Sequence, residues 1–210
     1  MSRSSPPIRA VLWDFGGVIL SSPFEAFTHF EQANGLPPGF LRQVNSVNPH
    51  DNAWALLERN EVPFERFCEL FESEALALGH PVDARAVIAL LAGEVRPEMV
   101  EAVRRCREHC KTALLTNNFI APEGGIGLDD VLSLFDVIIE SSKAGVRKPD
   151  PRFYRMACDA LGIEPHEAVF LDDLGINLKP AREMGMHTIN VVDPADALAQ
   201  LEAVVGFAVR

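Results

Sequence analysis

Four short apolar segments of the sequence each lead into polar side chains that could carry chemistry. In chain order these side chains are Asp14; then Thr116, Asn117 and Asn118; then Glu140, Ser141 and Ser142; and finally Asp172 and Asp173. Neighbouring carboxylates repel one another and raise each other's pKa unless a cation lies between them. If the fold brings the aspartates together, their oxygen ligands favour Mg²⁺ over Zn²⁺.

The elements that must position these groups alternate between strand and helix after Arg96. Apolar patterning predicts strands at 8–13, 112–117, 136–141, 168–172 and 187–192, and helices at 97–109, 151–161, 178–184 and about 195–205. This order predicts an α/β fold with a parallel sheet and helices on both faces. Because ligands bind at the carboxyl ends of the strands in such sheets, we expect the polar groups to meet there.

Between the first two strands, the apolar residues recur at helical spacing. Four segments show this pattern and are separated by Gly, Pro and Asn signals: FEAFTHFEQAN at 24–34, NAWALLERN at 52–60, FERFCELFESEALAL at 64–78 and ARAVIALLAG at 84–93. They predict an inserted all-helical block. The glycine-rich stretch at 121–130 predicts a surface loop.

Composition limits the classes of function. The chain has 210 residues, 48% hydrophobic and 23% charged, enough for one domain with a full core. Its formal net charge of −11 argues against nucleic acid or an anionic membrane as a partner. The first apolar run is interrupted by Asp14 well short of a membrane span, and no small-residue cleavage site follows. We therefore expect a cytoplasmic protein.

The cysteines offer an alternative metal site. CREHC at 106–110 places two thiols and His109 close together, whereas Cys68 and Cys158 stand alone. Two thiols one turn apart without a second ligand pair are typical of packing residues, so we favour that interpretation over zinc binding. Scattered cysteines also fit a reducing compartment.

Four sequence motifs together resemble those of the haloacid dehalogenase-like (HAD) superfamily: WDFGGVIL at 13–20, LLTNN at 114–118, RKPDPRFY at 147–154 and VFLDDLGINLKPAREMG at 169–185. Within it, the chain is most similar to the phosphatase-like N-terminal domains of soluble epoxide hydrolase and of some acyl-CoA dehydrogenase family members. The resemblance implies a Rossmann-like core at 1–20 and 96–210, with a helical cap inserted at 21–95.

The resemblance also implies roles for individual residues. Asp14 would be the nucleophile that attacks phosphorus and forms an aspartyl-phosphate. Thr116 and Asn117 would bind the phosphoryl oxygens, and Lys148 would neutralise their charge.

A Mg²⁺ cofactor is implied by the same motifs. Its ligands would be Asp14, Asp173 and the backbone carbonyl of Gly16, while Asp172 would bind it through water or orient Lys148. Asn177, Ser141 and Ser142 are further candidates to support these groups, from their positions beside the strand ends.

Position 16 departs from the family pattern, which has a second aspartate two residues after the nucleophile. That aspartate acts as an acid toward the leaving oxygen and then as a base toward water, and this chain has Gly16 instead. General acid–base catalysis typically contributes about 10²–10⁴-fold in rate. We therefore expect slow reaction with poor leaving groups.

The expected function is a magnesium-dependent phosphomonoesterase that acts on a small phosphorylated metabolite as a monomer or homodimer. The alternative is a catalytically impaired domain that binds a phosphorylated ligand or a protein partner. A 2-haloacid dehalogenase is disfavoured, because that branch dispenses with the metal and has a tyrosine at position 16, whereas this chain keeps Asp172 and Asp173.

Overall fold

The sheet has the parallel arrangement that the alternation of strands and helices predicts. A computed structural model describes residues 7–120 and 128–210. Its strands are β1 (Ala10–Trp13), β2 (Lys111–Thr116), β3 (Val137–Glu140), β4 (Ala168–Asp172) and β5 (His187–Asn190). All pairings are parallel, in the spatial order β3-β2-β1-β4-β5, so β1 lies at the centre.

Helices surround this sheet and form a separate group between β1 and β2. In chain order they are α1 (Phe24–Ala33), α2 (Phe40–Ser46), α3 (Ala53–Glu58), α4 (Phe64–Ala77), α5 (Ala84–Ala89), α6 (Pro97–Arg107), α7 (Asp129–Leu132), α8 (Ser141–Ala144), α9 (Pro151–Leu161), α10 (Gly175–Glu183) and α11 (Pro194–Val205). A tight turn over Phe15–Ile19 follows Asp14 and is closed by a hydrogen bond from Leu20 N to the Phe15 carbonyl at 2.8 Å.

Alternation along β1 divides the main core into two layers. Val11 and Trp13 pack with α6 and α11 on one face of the sheet. Ala10 and Leu12 pack with α9 and α10 on the other face. Because helices cover both faces, β1 is fully buried along its length. The expected α/β fold with helices on both faces is confirmed.

Helices α1 to α5 form the cap, which has its own hydrophobic core. Aromatic side chains dominate it: Trp54 packs edge-on against Phe67 at 5.1 Å and against Phe71 at 6.1 Å between ring centroids. The predicted helical insert is thus confirmed, although the pattern missed α2. Our division of the chain at residues 20/21 and 95/96 stays a prediction.

Two chain crossings connect the cap to the sheet. Leu20 and Val95 form an antiparallel bridge, and Arg96 N donates to the carbonyl of Ile19 at 2.9 Å. The cap also contacts the sheet domain elsewhere: α3 packs against α8, and Phe64 of the cap stacks on Phe119 with ring centroids 6.5 Å apart. Most of the loop predicted at 121–130 lies outside the described residues, while α7 begins at Asp129.

Candidate active site at the carboxyl edge of the sheet

The central strands bring three aspartates together. Asp14 follows β1, Asp172 ends β4, and these strands pair with Trp13 opposite Leu171. The backbone N–H of Asp14 extends the pairing, donating to the Leu171 carbonyl at 2.9 Å. Carboxylate oxygens of Asp14, Asp172 and Asp173 lie within 4.8 Å of one another. The convergence expected from parallel strand ends is present in the structure.

Lys148 supplies the positive charge at the centre of this cluster. Its Nζ lies 2.6 Å from Asp14 Oδ1 and 2.7 Å from Asp172 Oδ2, and the residue is only 1% exposed. Burial alone would lower the pKa of Lys148, but the charges and hydrogen bonds of the two aspartates raise it above its ordinary value. Lys148 therefore stays protonated while it is bound between the carboxylates.

One ammonium does not balance three carboxylates. Burial, and then the charge of Asp172, raises the pKa of Asp14 well above its ordinary range despite the opposing effect of Lys148. Burial and the charge of Asp172 also raise the pKa of Asp173 to about 6. The site thus carries an excess of negative charge that a divalent cation would relieve.

Asp172 is fixed in place by hydrogen bonds. Asn177 Nδ2 donates to its Oδ1 at 3.0 Å and to its Oδ2 at 3.1 Å, and Leu174 N donates to Oδ1 at 2.8 Å. Tyr154 in turn donates its hydroxyl to the Asn177 carbonyl at 2.7 Å. With Lys148 on Oδ2 as well, Asp172 is surrounded by donors, which suits it to orienting the lysine.

The residues fit a Mg²⁺ ion. The cluster provides only oxygen ligands and has surplus negative charge, the combination that Mg²⁺ prefers. Asp173 is less enclosed than Asp14 and Asp172, since it is partly exposed where they are buried. Its carboxylate is therefore the most accessible of the three to an incoming ion.

The glycine pair after Asp14 has two different structural roles. Gly17 has φ of +78°, and a Cβ there would lie 2.2 Å from Asp173 Oδ2, so a side chain is excluded. Gly16 has φ of −68° and ψ of 133°, and within residues 7–120 and 128–210 no atom lies within 4 Å of a Cβ built on it. In the described part of the chain, no contact of that Cβ therefore requires glycine at position 16.

The candidate phosphate-binding residues line the neighbouring strand end. Thr116 is the last residue of β2 and is buried. The Asn117 side chain holds the Lys148 backbone, accepting from its N–H at 2.9 Å and donating to its carbonyl at 3.1 Å. Asn117 therefore positions the segment that carries the lysine.

The third strand end forms an adjoining network instead of joining the aspartates. Asn118 Nδ2 donates to Glu140 at 3.0 Å, and its Oδ1 accepts from the Ser142 hydroxyl at 2.9 Å. Ser141 Oγ accepts from Asn118 N at 2.9 Å. These contacts hold the loop that follows β2 against α8. Ser141 and Ser142 therefore help to support the residues at the end of β2.

Sequence reasoning missed two arginines near the site. Arg96 Nη1 donates to the Gly17 carbonyl at 2.6 Å, which ties the cap crossing to the turn after Asp14. Arg147 Nε lies 3.0 Å from Glu58 Oε2 of the cap. The position of Arg147 beside Lys148 was a sequence signal for its proximity, whereas nothing marked Glu58.

The CREHC segment shows packing contacts. Cys110 Sγ donates to the Cys106 carbonyl at 3.2 Å, and the His109 ring packs on Phe207 with centroids 4.3 Å apart. Within residues 7–120 and 128–210, the one cluster with metal-ligand geometry is the aspartate cluster. In the same part of the chain, no helix has the length and apolar content that a bilayer span requires.

Fold and site together define a class of α/β proteins with a parallel sheet, a helical cap and an acidic, lysine-centred site at the carboxyl edge of the sheet. Residues 8–185 match the family model of haloacid dehalogenase-like hydrolases, and the chain belongs to that family. The resemblance seen in the sequence motifs is confirmed.

Curated relatives agree with this assignment. The chain is 37% identical over 207 residues to acyl-CoA dehydrogenase family member 10 of Mus musculus, covering 95% of this chain and 19% of that protein. It is 31% identical over 216 residues to bifunctional epoxide hydrolase 2 of Sus scrofa, covering 95% and 39%. The chain thus spans well under half the length of either relative.

A relative of similar size and a solved structure extend the comparison. Validoxylamine A 7'-phosphate phosphatase of Streptomyces hygroscopicus subsp. limoneus is 35% identical over 183 residues, covering 76% of this chain and 85% of that protein. A HAD family enzyme of Bacteroides thetaiotaomicron, solved with magnesium and inorganic phosphate, has a TM-score of 0.59 at 20% identity, covering 87% and 93%. The latter likeness supports the fold.

Proposed function

We propose that this protein is a magnesium-dependent phosphomonoesterase that hydrolyses a small phosphorylated metabolite through an aspartyl-phosphate at Asp14. The observation that carries the proposal is the convergence of Asp14, Asp172 and Asp173 on buried Lys148. Relatives that are named phosphatases support the same reaction class.

Asp14 is arranged to act as the nucleophile through one of its two oxygens. The N–H of Phe15 at 2.7 Å and Lys148 Nζ at 2.6 Å both contact Oδ1. Because these donors share Oδ1, Oδ2 is the oxygen left to attack phosphorus. Nucleophilic attack requires the ionised carboxylate, so a bound Mg²⁺ ion would have to offset the burial and the charge of Asp172 that raise the pKa of Asp14.

Charge balance explains the other groups. Asp14, Asp173 and the Gly16 carbonyl would hold Mg²⁺, with Asp172 as an outer partner. When bound, the ion offsets negative charge on the carboxylates and the phosphoryl oxygens. Lys148 supplies further positive charge, while the hydroxyl of Thr116 and the backbone N–H of Asn117 would donate to phosphoryl oxygens.

The cap would enclose the rest of the substrate. Phe64 and Phe119 stack across the boundary between the cap and the sheet, beside the loop that follows Thr116. Enclosure of this kind favours a small metabolite over a macromolecule, and the net charge of −11 disfavours nucleic acid. All four cysteines are free, which supports a reducing, cytoplasmic location.

Gly16 favours a second candidate, a domain that binds a phosphorylated ligand but turns it over slowly. The two candidates differ in measured turnover of 4-nitrophenyl phosphate, whose good leaving group needs little protonation. We expect Mg²⁺-dependent release that is lost on chelation and in Asp14→Asn. Asp159→Asn, at an exposed aspartate of α9, is the matched control and should keep full activity. Activity no higher than that of Asp14→Asn would refute the enzyme assignment.

Replacing Gly16 with aspartate separates a missing acid from other causes of slow turnover. The backbone angles at Gly16 suit any residue, and no atom of the described residues lies within 4 Å of an added Cβ. We expect Gly16→Asp to raise kcat/KM for 4-nitrobenzyl phosphate, a poor leaving group, more than for 4-nitrophenyl phosphate. Equal gains on both substrates would count against a missing general acid.

A further inference from the structure

The main chain of Lys148 is held by two neighbouring side chains. Its N–H donates to Asn117 Oδ1 at 2.9 Å, and its carbonyl accepts from Asn117 Nδ2 at 3.1 Å. The same carbonyl accepts a second hydrogen bond, from Arg147 Nε at 3.3 Å. Lys148 Nζ bridges Asp14 and Asp172 at 2.6 and 2.7 Å, so a shift of this main chain would lengthen contacts that depend closely on distance. The two side chains therefore help to fix where the ammonium lies.

Arg147 also reaches from this segment to the cap. Glu58 is the last residue of α3, the cap helix that packs on α8, and its Oε2 lies 3.0 Å from Arg147 Nε. The side chains of Glu58 and Arg147 are only 16% and 23% exposed. A single guanidinium thus contacts both the cap and the carbonyl of the lysine in the active site.

Charge explains why Arg147 needs a partner on the cap. The neighbouring Lys148 is already paired with Asp14 and Asp172. A second largely buried cation beside it is costly unless it has a counterion of its own. In the described part of the chain, Glu58 is the carboxylate in ion-pair contact with Arg147. Glu58 therefore allows the guanidinium to stay against the Lys148 carbonyl instead of turning to solvent.

The two contacts of Arg147 differ in kind. The Nε hydrogen is directed to the Lys148 carbonyl, whereas Glu58 Oε2 receives no hydrogen bond within residues 7–120 and 128–210. Glu58 thus holds the guanidinium by charge, and Arg147 holds the Lys148 segment by a directed hydrogen bond. The contacts run from the cap, through Arg147, to the lysine.

We propose that Arg147, anchored by Glu58 of the cap, is a positioning residue for Lys148, so that the lysine is correctly placed only when the cap is docked on the sheet. The inference rests on the part of the proposed function in which Lys148 binds the phosphoryl group. Arg147 and Glu58 act through Lys148 and take no part in the chemistry themselves. Docking of the cap and placement of the ammonium are thereby coupled.

Inorganic phosphate is the probe that isolates this role, because it needs Lys148 but has no organic part for the cap to enclose. Glu58→Gln removes the charge of the counterion. Arg147→Lys keeps the positive charge but places a methylene where Nε donates. We expect each variant to weaken phosphate binding in Mg²⁺ by about tenfold or more. Isothermal titration calorimetry measures the dissociation constant at a temperature at which circular dichroism shows each variant folded.

Turnover and a double variant extend the test. Both single variants should lower kcat for 4-nitrophenyl phosphate by about tenfold or more, since the first transfer depends on the same ammonium. Because Glu58 acts through Arg147, the double variant should bind phosphate no more weakly than the weaker of the two single variants.

Two cap residues offer matched controls. Glu74 of α4 also has a buried oxygen that lacks a donor among the described residues, but its Oε1 accepts from Ala53 N of the cap at 2.8 Å. Arg59 pairs with Glu61, also of the cap, at 2.7 Å. Glu74→Gln and Arg59→Lys should change neither phosphate affinity nor kcat.

Three results would overturn the proposal. Unchanged phosphate affinity with a raised KM for 4-nitrophenyl phosphate would limit the ion pair to enclosing the organic part of the substrate. Unchanged affinity and kinetics with a lower free energy of unfolding would make the pair purely structural. Additive losses in the double variant would contradict an action of Glu58 through Arg147.

The behaviour of the wild type separates this inference from the proposed function. A wild type that binds phosphate but hydrolyses no ester would refute the proposed enzyme, while the affinities of the variants would still decide the role of Arg147. A wild type that neither binds phosphate nor hydrolyses an ester would refute the proposed function, and this inference with it.

Discussion

Asp173 makes the stability of the metal-free protein depend on pH. Burial and the charge of Asp172 raise its pKa from 3.8 to about 6, while Lys148 and Arg96 oppose the rise. A raised pKa means that the folded state binds the proton more tightly than the unfolded state does. The resulting stabilisation is complete below pH 3.8 and is lost as pH rises through about 6.

The size of this effect follows from the two pKa values. They differ by 6 − 3.8, or about 2 pH units, and each unit corresponds to about 1.4 kcal/mol, which gives an upper limit near 3 kcal/mol. Asp173 is partly exposed, so solvent screening reduces the expected loss to about 2 kcal/mol. Because Mg²⁺ binds the ionised carboxylate, it should recover this stability at neutral pH.

The assay is urea unfolding between pH 4 and pH 8, with chelator and with Mg²⁺, for wild type and Asp173→Asn. In chelator, the free energy of unfolding of wild type relative to Asp173→Asn should fall by about 2 kcal/mol between pH 4 and pH 7. Mg²⁺ should remove most of that difference. Identical pH dependence in the two proteins, or no response of wild type to Mg²⁺, would refute this account of the acidic cluster.

Three further substitutions test the frame of the site. Lys148→Met leaves buried carboxylates unpaired and should lower the free energy of unfolding by about 3–5 kcal/mol. Lys143→Met, at an exposed lysine, is the control and should change it little. Similar losses in the two variants would contradict the role of Lys148. Gly17→Ala should lower the free energy of unfolding by about 1–3 kcal/mol, and by more than Gly145→Ala does. At Gly145 φ is also positive, but no atom of the described residues lies within 4 Å of the added Cβ. Circular dichroism melts compare the two variants, and equal losses would contradict the close contact at Gly17. Asn177→Leu removes the amide that donates to the Asp172 carboxylate and should lower the free energy of unfolding by about 1.5–3 kcal/mol. Urea unfolding that shows no loss would argue against that hydrogen bonding.

Strand positions were predictable because the strands lie in short segments rich in apolar and β-branched residues. The segment at 168–172 matches β4 residue for residue, and the segment at 151–161 matches α9, which begins at Pro151 and ends before Gly162. The predicted helix at 178–184 instead begins at Gly175. Its first turn carries glycine and its interior carries Pro180, both of which weaken a helical pattern.

Helix α2 could not be predicted from local pattern. Glu31 of α1 accepts from Gly39 N at 2.7 Å and from Leu41 N at 3.0 Å, so a buried side chain from another helix caps its start. Gly39 at its N-cap has φ of +76° and follows two prolines, which predicts a turn. The stabilising contact is tertiary and leaves no local signal.

The candidate site likewise has a part that the sequence predicts and a part that depends on tertiary packing. Asp14, Thr116 and Asp172 were predictable as a group because parallel strand ends share one edge. The pairing of Glu58 with Arg147 depends on how the cap packs on the sheet, and the sequence contains no periodicity that encodes it. The sequence showed that position 16 departs from the family pattern, but only the structure showed that an added Cβ there would meet no atom of the described residues within 4 Å.

Trapping the covalent intermediate tests the central claim most directly. The protein is mixed with 4-nitrophenyl phosphate and Mg²⁺, quenched within one turnover and reduced with borohydride, which converts a phosphorylated aspartate to homoserine. Mass spectrometry should find homoserine at position 14 and nowhere else, and should find none without Mg²⁺. Rapid turnover that leaves Asp14 unmodified, or homoserine at another aspartate, would contradict the account.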